Sequence, residues 1–402
     1  MFFFVRKYKI TGNIAKNIVN LNEPYLLLAN HVGKYDPFIL SYFMKKPPNF
    51  ISSDAIMRDK FIGSAFRGLG AIPKKKGIRD SQLIREIARV TQNGGAIALF
   101  PEGGRTWDGQ TLFIDPSIAK LIKLLKVPVV TVKMKGAYFF NPRWSYKLRH
   151  AKHEIDFRLP IKKEQIKALS EDDIMQIIND NIVQDDIAYQ RDKRVKIKSK
   201  HRAEYLGLIL YQCPKCLSQS GFHAEGNSFS CKNCQDKLIV NDYGFYDSTD
   251  GKSIAYDNPK DWLAWQADNL VSDVNNALDK NQQTPLFTSE LMQIEHAVGY
   301  KRMEPIGKGR ISLFIDRIRI SYNDDHKDLP LEEVDYIGPQ FLERLEITFQ
   351  DEAYRLVNLD TREPGIKWEI AVNTIWAKTN QVNKISPYYK HLILQKLEEL
   401  NK

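Results

Sequence analysis

Cysteine is scarce in this chain of 402 residues: there are four, all between Cys213 and Cys234. None is left for a disulfide framework elsewhere, which points to a reducing, cytoplasmic setting. Long apolar runs are missing as well. No stretch of 18 apolar residues occurs, so no transmembrane helix is expected. The opening Met1-Phe2-Phe3-Phe4-Val5, followed by Arg6-Lys7, is too short for the apolar core of a signal peptide. It reads either as a first strand or helix packed on the core or as an aromatic cluster dipping into a membrane interface beside cations. No serine or cysteine sits in an evident nucleophile elbow, and no long internal repeat is present. Acidic residues are under-represented in one half only. Residues 1–200 carry 36 Lys and Arg against 19 Asp and Glu, while the remainder carries 23 against 30. The basic half suits an anionic partner: a bilayer surface, a phosphorylated substrate or nucleic acid.

With 43% hydrophobic residues the chain can bury ordinary cores, and its length predicts two or three domains. Up to about residue 160, short apolar strands alternate with amphipathic helices, an α/β pattern. Strands are expected at 24–29, 49–53, 96–100 and 127–134. Helices are expected at 37–44, 81–92 and 116–125, the first opening at Asp36 as an N-cap residue. Residues 161–200 read as helical and charged, ending in a basic run from Arg191 to Lys200. That run suits a solvated face or a strip against lipid head groups. Residues 260–300 read as mixed helix and loop. Short strands then follow at 311–314, 317–322, 334–337, 344–349 and 354–358, closed by a helix at 366–376.

Two motifs in the first half carry chemistry. Asn30-His31-Val32-Gly33-Lys34-Tyr35-Asp36-Pro37 puts a histidine at a strand end with an aspartate five positions on. A neutral imidazole can take a proton from a hydroxyl, and a carboxylate on its far nitrogen fixes the tautomer. With no protein nucleophile in sight, the attacking hydroxyl belongs to the substrate. Phe100-Pro101-Glu102-Gly103-Gly104-Arg105-Thr106 follows another strand. Its glycines let backbone N–H groups approach an anion, and Arg105 can grip a phosphate through two parallel hydrogen bonds. Between the motifs, Gly70-Ala71-Ile72-Pro73-Lys74-Lys75-Lys76-Gly77 offers three lysines as a second phosphate contact or an exposed basic loop.

Together these blocks resemble the glycerophospholipid acyltransferase family, whose best-known members acylate 1-acylglycerol 3-phosphate. His31 and Asp36, with Asn30 before them, match its first block. Gly70 to Lys76 takes the place of its second and Phe100 to Arg105 matches its third. Val127-Pro128-Val129-Val130-Thr131-Val132 matches the fourth, an apolar strand with a proline. The resemblance covers residues 15 to 160 or so. It implies that His31 is the general base and that Asp36 orients it. Glu102 and Arg105 would help bind the acceptor phosphate, with the N–H groups of Gly103 and Gly104 near the oxyanion. The donor would be acyl-CoA or acyl carrier protein, the acceptor a lysophospholipid, and the product of the favoured acceptor phosphatidic acid. Two departures stand out. Gly33 replaces a frequent serine, and Lys74, Lys75 or Lys76 replaces the usual arginine of the second block, a point charge in place of a fork. Many members also carry membrane-spanning helices before the first block. Here membrane contact is expected to be peripheral, at the inner face of the cell membrane.

Cys213-Pro214-Lys215-Cys216 and Cys231-Lys232-Asn233-Cys234 offer four thiolates at zinc-ribbon spacing, read as a closed structural zinc site with iron or disulfides as the alternatives, and with His223 a non-ligand in the loop between. Zinc would supply folding energy that some forty residues lack. The strand run ending in the helix with Trp368 and Trp376 resembles a small pleckstrin-homology-like barrel, a fold that often binds lipid head groups or peptides. Trp262 and Trp265, before it, read as core. The expected layout is an α/β acyltransferase domain at 1–200, a zinc ribbon at 205–245 and a β-rich domain at 250–402. A competing reading makes the ribbon a nucleic-acid- or protein-binding module. No aromatic-basic platform for single strands is evident near it, so nucleic acid is not expected as a partner.

Overall fold

The computed structural model describes residues 1–53, 64, 68, 70–74, 81–299, 301–340, 344–359 and 364–400. They form two compact units. The first holds the described residues up to Ser199 except Trp144–Tyr146; those three join Lys200 onward in the second.

The first unit runs α1 (Phe2–Lys7), β1 (Thr11–Asn13), α2 (Lys16–Val19), β2 (Leu26–Ala29), α3 (Asp36–Phe43), β3 (Asn49–Ser53) and β4 (Ile72–Lys74). It continues with α4 (Ser81–Gln92), β5 (Ile97–Leu99), α5 (Ser117–Leu125), β6 (Val129–Lys135), α6 (Ala137–Phe140), β7 (Glu154–Ile161), α7 (Glu171–Ile182) and α8 (Asp186–Lys193). Its seven-stranded sheet has the order β1-β7-β6-β2-β5-β3-β4. The five strands from β6 to β4 are parallel, and β7 joins β6 antiparallel. Successive residues of β2 point to opposite faces, yet Leu26, Leu27, Leu28 and Ala29 are all fully buried. Both faces are therefore covered, as a parallel sheet requires. One cover is built from Leu83 and Ile87 of α4, Ile118 and Ile122 of α5, and Ile174, Ile178 and Ile182 of α7. They pack on Leu26, Leu28, Ile97 and Val129. Burying each such side chain contributes about 1.5–3 kcal/mol.

The parallel strands end on one edge of the sheet. The loops after β2, β5 and β6 leave it side by side, because β6, β2 and β5 are neighbours. This is where α/β sheets place their ligands. The start of the chain is part packed and part exposed. Val5 is buried and Phe4 packs on Tyr35 and Phe140, whereas Phe2 and Phe3 point to solvent, Phe3 with 85% of its surface exposed.

In the second unit, β8 (Phe222–Glu225), β9 (Ser228–Cys231), β10 (Lys237–Val240) and β11 (Tyr246–Ser248) form an antiparallel sheet. Helix α9 (Pro259–Asp279) follows, capped by the Asn258 side chain. A seven-stranded antiparallel sheet is then made from β12 (Phe287–Val298), β13 (Glu304–Leu313), β14 (Arg317–Tyr322), β15 (Asp325–Pro330), β16 (Val334–Gln340), β17 (Arg344–Phe349) and β18 (Glu352–Asn358). Its order is β15-β14-β13-β12-β18-β17-β16, so the sequence turns back on itself at β12. Helix α10 (Gly365–Lys378) is buried from Ile366 to Trp376, and Trp376 Nε1 donates to the Leu331 carbonyl at 3.0 Å. Helix α11 (Pro387–Leu400) ends the described chain. Trp262 is buried as the sequence suggests, while Trp265 is half-buried against Tyr256.

Candidate active site

Asn30 fixes where the loop after β2 begins. Its amide donates to the Met134 carbonyl at 3.0 Å and its oxygen accepts from Met134 N–H at 2.8 Å, tying the loop to β6. His31 comes next. Its Nδ1 lies 2.9 Å from Asp36 Oδ2, and the same oxygen accepts the N–H groups of Val32 and Gly33 at 2.8 Å each. Asp36 is not the N-cap expected from sequence. It is the first residue of α3, with Tyr35 at the cap, and its carboxylate turns back over the loop it closes. A ring nitrogen facing a carboxylate carries the proton, so Nε2 is the acceptor. No described residue bonds Nε2, and the side chain is 18% exposed. The imidazole also stacks on Phe100, centroids 3.8 Å apart. Burial is the largest influence on it and lowers its pKa. Asp36 pulls upward, and Arg105 and Arg143 press down again. The ring is thus held neutral, the state a general base needs.

The loop after β5 meets it. Glu102, expected near an acceptor, is buried with both oxygens turned onto backbone. Oε1 accepts His31 N–H at 2.5 Å and Oε2 accepts Leu112 N–H at 2.6 Å. Burial pushes its carboxyl well above the usual range, and those two N–H bonds oppose the shift. Thr106 N–H donates to the His31 carbonyl at 3.1 Å, so His31 is held from both sides of its backbone. Gly103 takes a positive φ of 69°, which glycine permits without a Cβ penalty. Its N–H donates to the Phe100 carbonyl, which leaves the Gly104 N–H as the one of the pair with no acceptor among the described residues. The Arg105 guanidinium likewise has no hydrogen-bond partner among them. Burial and the neighbouring Arg143 press its pKa down, against Asp36, though an arginine stays protonated.

Two cations here escaped the sequence reading. Lys34 sits inside the first motif, its pKa lowered by burial and by Arg105. Arg143 follows α6, donates from Nη1 to the Arg105 carbonyl at 2.8 Å and lies 3.7 Å above the Trp107 ring. Strand adjacency was the signal for Arg143: β6 runs beside β2. Lys74 is exposed at the end of β4, at the far side of the sheet. Lys75 and Lys76 lie outside the described residues. A serine at Gly33 would crowd its neighbours, which would have to give by a few tenths of an ångström. A Cβ there would come within 3.0 Å of Asn141 Oδ1 and 3.2 Å of Asp36 Oδ1.

The sequence model of the acyltransferase family matches residues 8–135, a span that contains all four blocks. Residues 8–135 form an acyltransferase-family domain. A solved structure, the 1-acyl-sn-glycerophosphate (LPA) acyltransferase PlsC from Thermotoga maritima, is similar at 19% sequence identity. The match covers 48% of this chain and 77% of that one, with a TM-score of 0.40. A comparison with curated proteins found no match. No described helix of the chain is long and apolar enough to cross a membrane.

Outside the acyltransferase domain, the four cysteines gather. Their sulfurs all lie within 4.8 Å of one another, with Cys213–Cys234 at 3.8 Å and Cys216–Cys231 at 3.7 Å. Thiolates at about 2.3 Å around one tetrahedral zinc would stand about 3.8 Å apart, so the cluster could hold a zinc ion. His223 is exposed and outside it, near Glu225. Trp262 Nε1 donates to the Gln212 carbonyl beside Cys213 at 3.0 Å, and Gln266 Oε1 accepts Tyr211 N–H at 3.1 Å. Helix α9 thereby holds the segment that enters the first cysteine pair.

Proposed function

We propose that the acyltransferase domain moves a fatty acyl group from acyl-CoA or acyl carrier protein to the hydroxyl of a lysophospholipid, with 1-acylglycerol 3-phosphate as the favoured acceptor and phosphatidic acid as product. The supporting observation is the His31–Asp36 pair, its Nε2 open, sharing a site with Arg105. His31 Nε2 takes the proton of the acceptor hydroxyl while Asp36 holds the imidazolium. The oxygen adds to the thioester carbonyl, the C–S bond breaks, and the proton passes from His31 to the departing thiolate. The tetrahedral oxyanion needs a donor, and the Gly104 N–H is the candidate. Arg105 binds the acceptor phosphate.

In the same reading the chain comprises the acyltransferase domain at 1–200, a ribbon at 205–245 with structural zinc on Cys213, Cys216, Cys231 and Cys234, and a pleckstrin-homology-like barrel at 250–402. The domain meets the inner face of the cell membrane peripherally. Phe2 and Phe3 enter the interface, and Arg6 and Lys7 face anionic lipid. Turnover of lysophosphatidate and acyl-CoA tests the chemistry. His31→Ala should lose about 10²–10⁴-fold in kcat, and near-wild-type turnover would exclude the base.

A further inference from the structure

We propose that Asp186 is a positioning residue for the transfer: from the start of α8 it ties the loops after β5 and β6 to one another and so fixes the backbone that carries His31. This role rests on the acyltransferase reading above. Asp186 lies well beyond residue 135, where the match to the family's sequence model ends.

Asp186 is 1% exposed, and no cation pairs with it among the described residues. A buried carboxylate without a counter-ion is costly unless N–H groups surround it. Here three do. Oδ1 accepts the Gly136 N–H at 2.7 Å and Gln184 Nε2 at 3.1 Å, and Oδ2 accepts the Tyr138 N–H at 2.8 Å. Burial still raises its pKa to about 7, against those bonds. The side chain thus holds the chain where it leaves β6 and enters α6. The backbone of the same residue holds the other loop, its N–H donating to the Gly109 carbonyl at 2.9 Å. Beside it, the Thr111 N–H donates to the Gln184 carbonyl at 2.9 Å, and the Gln184 N–H donates to Thr111 Oγ1 at 2.9 Å. Tyr138 spans the two loops directly, its O–H donating to the Trp107 carbonyl at 3.0 Å.

These bonds close a ring through the base. The Gly109 N–H donates to Thr106 Oγ1 at 2.9 Å, and the Thr106 N–H donates to the His31 carbonyl. On the other side Asn30, the residue before His31, is bonded twice to Met134, two residues before Gly136. The circuit therefore runs His31, Thr106, Gly109, Asp186, Gly136, Met134, Asn30 and back. All of these but His31 are buried, so water does not stand in for a lost bond. Asp186 is the member where the two loops meet, and it reaches each with a different group.

The test compares the wild-type full chain with Asp186→Asn and Asp186→Glu. Ile178→Val, a core truncation on α7, controls for stability alone. Turnover of lysophosphatidate and acyl-CoA is measured per folded molecule well below each Tm, and amide hydrogen exchange is followed by mass spectrometry. Asparagine keeps the volume but turns one acceptor oxygen into a donor facing an N–H. Asp186→Asn should lower kcat about 10- to 100-fold, with both KM values within about threefold. Exchange should speed about tenfold in peptides from 30–36 and 104–112. Asp186→Glu keeps both acceptor oxygens and should recover part of kcat. Ile178→Val should lower Tm and leave kcat and those peptides unchanged. If Asp186→Asn does not fold, Asp186→Ser, with one acceptor left, carries the same comparison. An unchanged kcat at a lowered Tm makes the residue merely structural and overturns the proposal, as does faster exchange confined to 136–138 and 184–186. Faster exchange at 30–36 in Asp186→Asn, in a chain that acylates no lysophospholipid, sustains the ring and sinks the acyltransferase reading instead.

Discussion

Replacing Glu102 by glutamine separates two roles for one carboxylate. If Glu102 touches the acceptor, its loss should appear in the acceptor KM. The geometry gives it another task, because Oε1 and Oε2 each accept a backbone N–H, from His31 and Leu112. Glutamine keeps the shape but presents an NH2 at one end, so one of those two donors faces another donor. Leaving a buried donor unsatisfied costs about 1–3 kcal/mol. In a unit of 150–250 residues, about 2 kcal/mol lowers Tm by roughly 4–8 °C. One of the two donors is the backbone of His31 itself, and a misplacement of about 1 Å in a catalytic group can cost about 10²-fold. Glu102→Gln should therefore lower kcat about 10- to 100-fold and Tm by several degrees, with acceptor KM within about threefold. Thermal unfolding followed by circular dichroism, with kinetics against varied lysophosphatidate, measures all three. A tenfold rise in acceptor KM at unchanged kcat and Tm would refute the brace.

Arg105 and Arg143 press the His31 pKa down, so the acid limb of kcat/KM should lie below the ordinary histidine value of 6.5. Arg105→Leu should move that limb to higher pH, with the acceptor's own phosphate ionisation common to both enzymes, and an unmoved limb counts against the arrangement. His153 is buried and neutral, its pKa brought to about 4 by burial. Its contribution to stability is whole above about 6.5 and lost as pH falls through 4, some 3 kcal/mol in all. His153→Phe should flatten the fall in Tm between pH 7 and 4, and an equally steep fall argues otherwise. Gly33→Ser should cost activity through the Asn141 contact, and the added Asn141→Ala should restore it; additive losses would deny the coupling. The purified chain should release one zinc to a chromogenic chelator, and Cys213→Ser should release none. Zinc loss should also change Trp262 fluorescence, since its indole bonds the carbonyl next to Cys213.

The parallel core was legible because its strands are continuous apolar runs and its helices carry apolar residues at helical spacing. The 81–92 helix and the 49–53 strand fall where expected. Two strands of the seven-stranded antiparallel sheet were not legible. β12 breaks its alternation at a bulge between Ser289 and Met292. β15, Asp325–Pro330, is an edge strand paired on one side only, and its charged residues give no apolar face to detect. In the site, His31, Asp36 and Arg105 sit in motifs and could be picked out by spacing. Arg143 could not, because its proximity to Arg105 depends on β6 lying beside β2, and spacing alone does not state strand order. Asp36 looked like a helix cap because aspartate before proline usually is one. Here two loop amides and an imidazole compete for the same oxygen and win.

The ribbon's own surface bears on the competing reading that it binds nucleic acid. Single-strand binders stack bases on exposed aromatic rings set among cations. In this small sheet Phe222, Phe229 and Tyr246 turn to one side, and Trp262 of α9 packs edge-on or tilted against all three at 5.4–5.9 Å. Those rings are buried in a small core, so they offer no platform for bases. The hydrogen bonds from α9 to Gln212 and Tyr211 lock the same helix onto the approach to Cys213. A metal that orders the two cysteine pairs would thereby order the docking surface for α9, and α9 in turn packs on α10. A zinc ion held by the four cysteines would thereby have a structural task in the second unit.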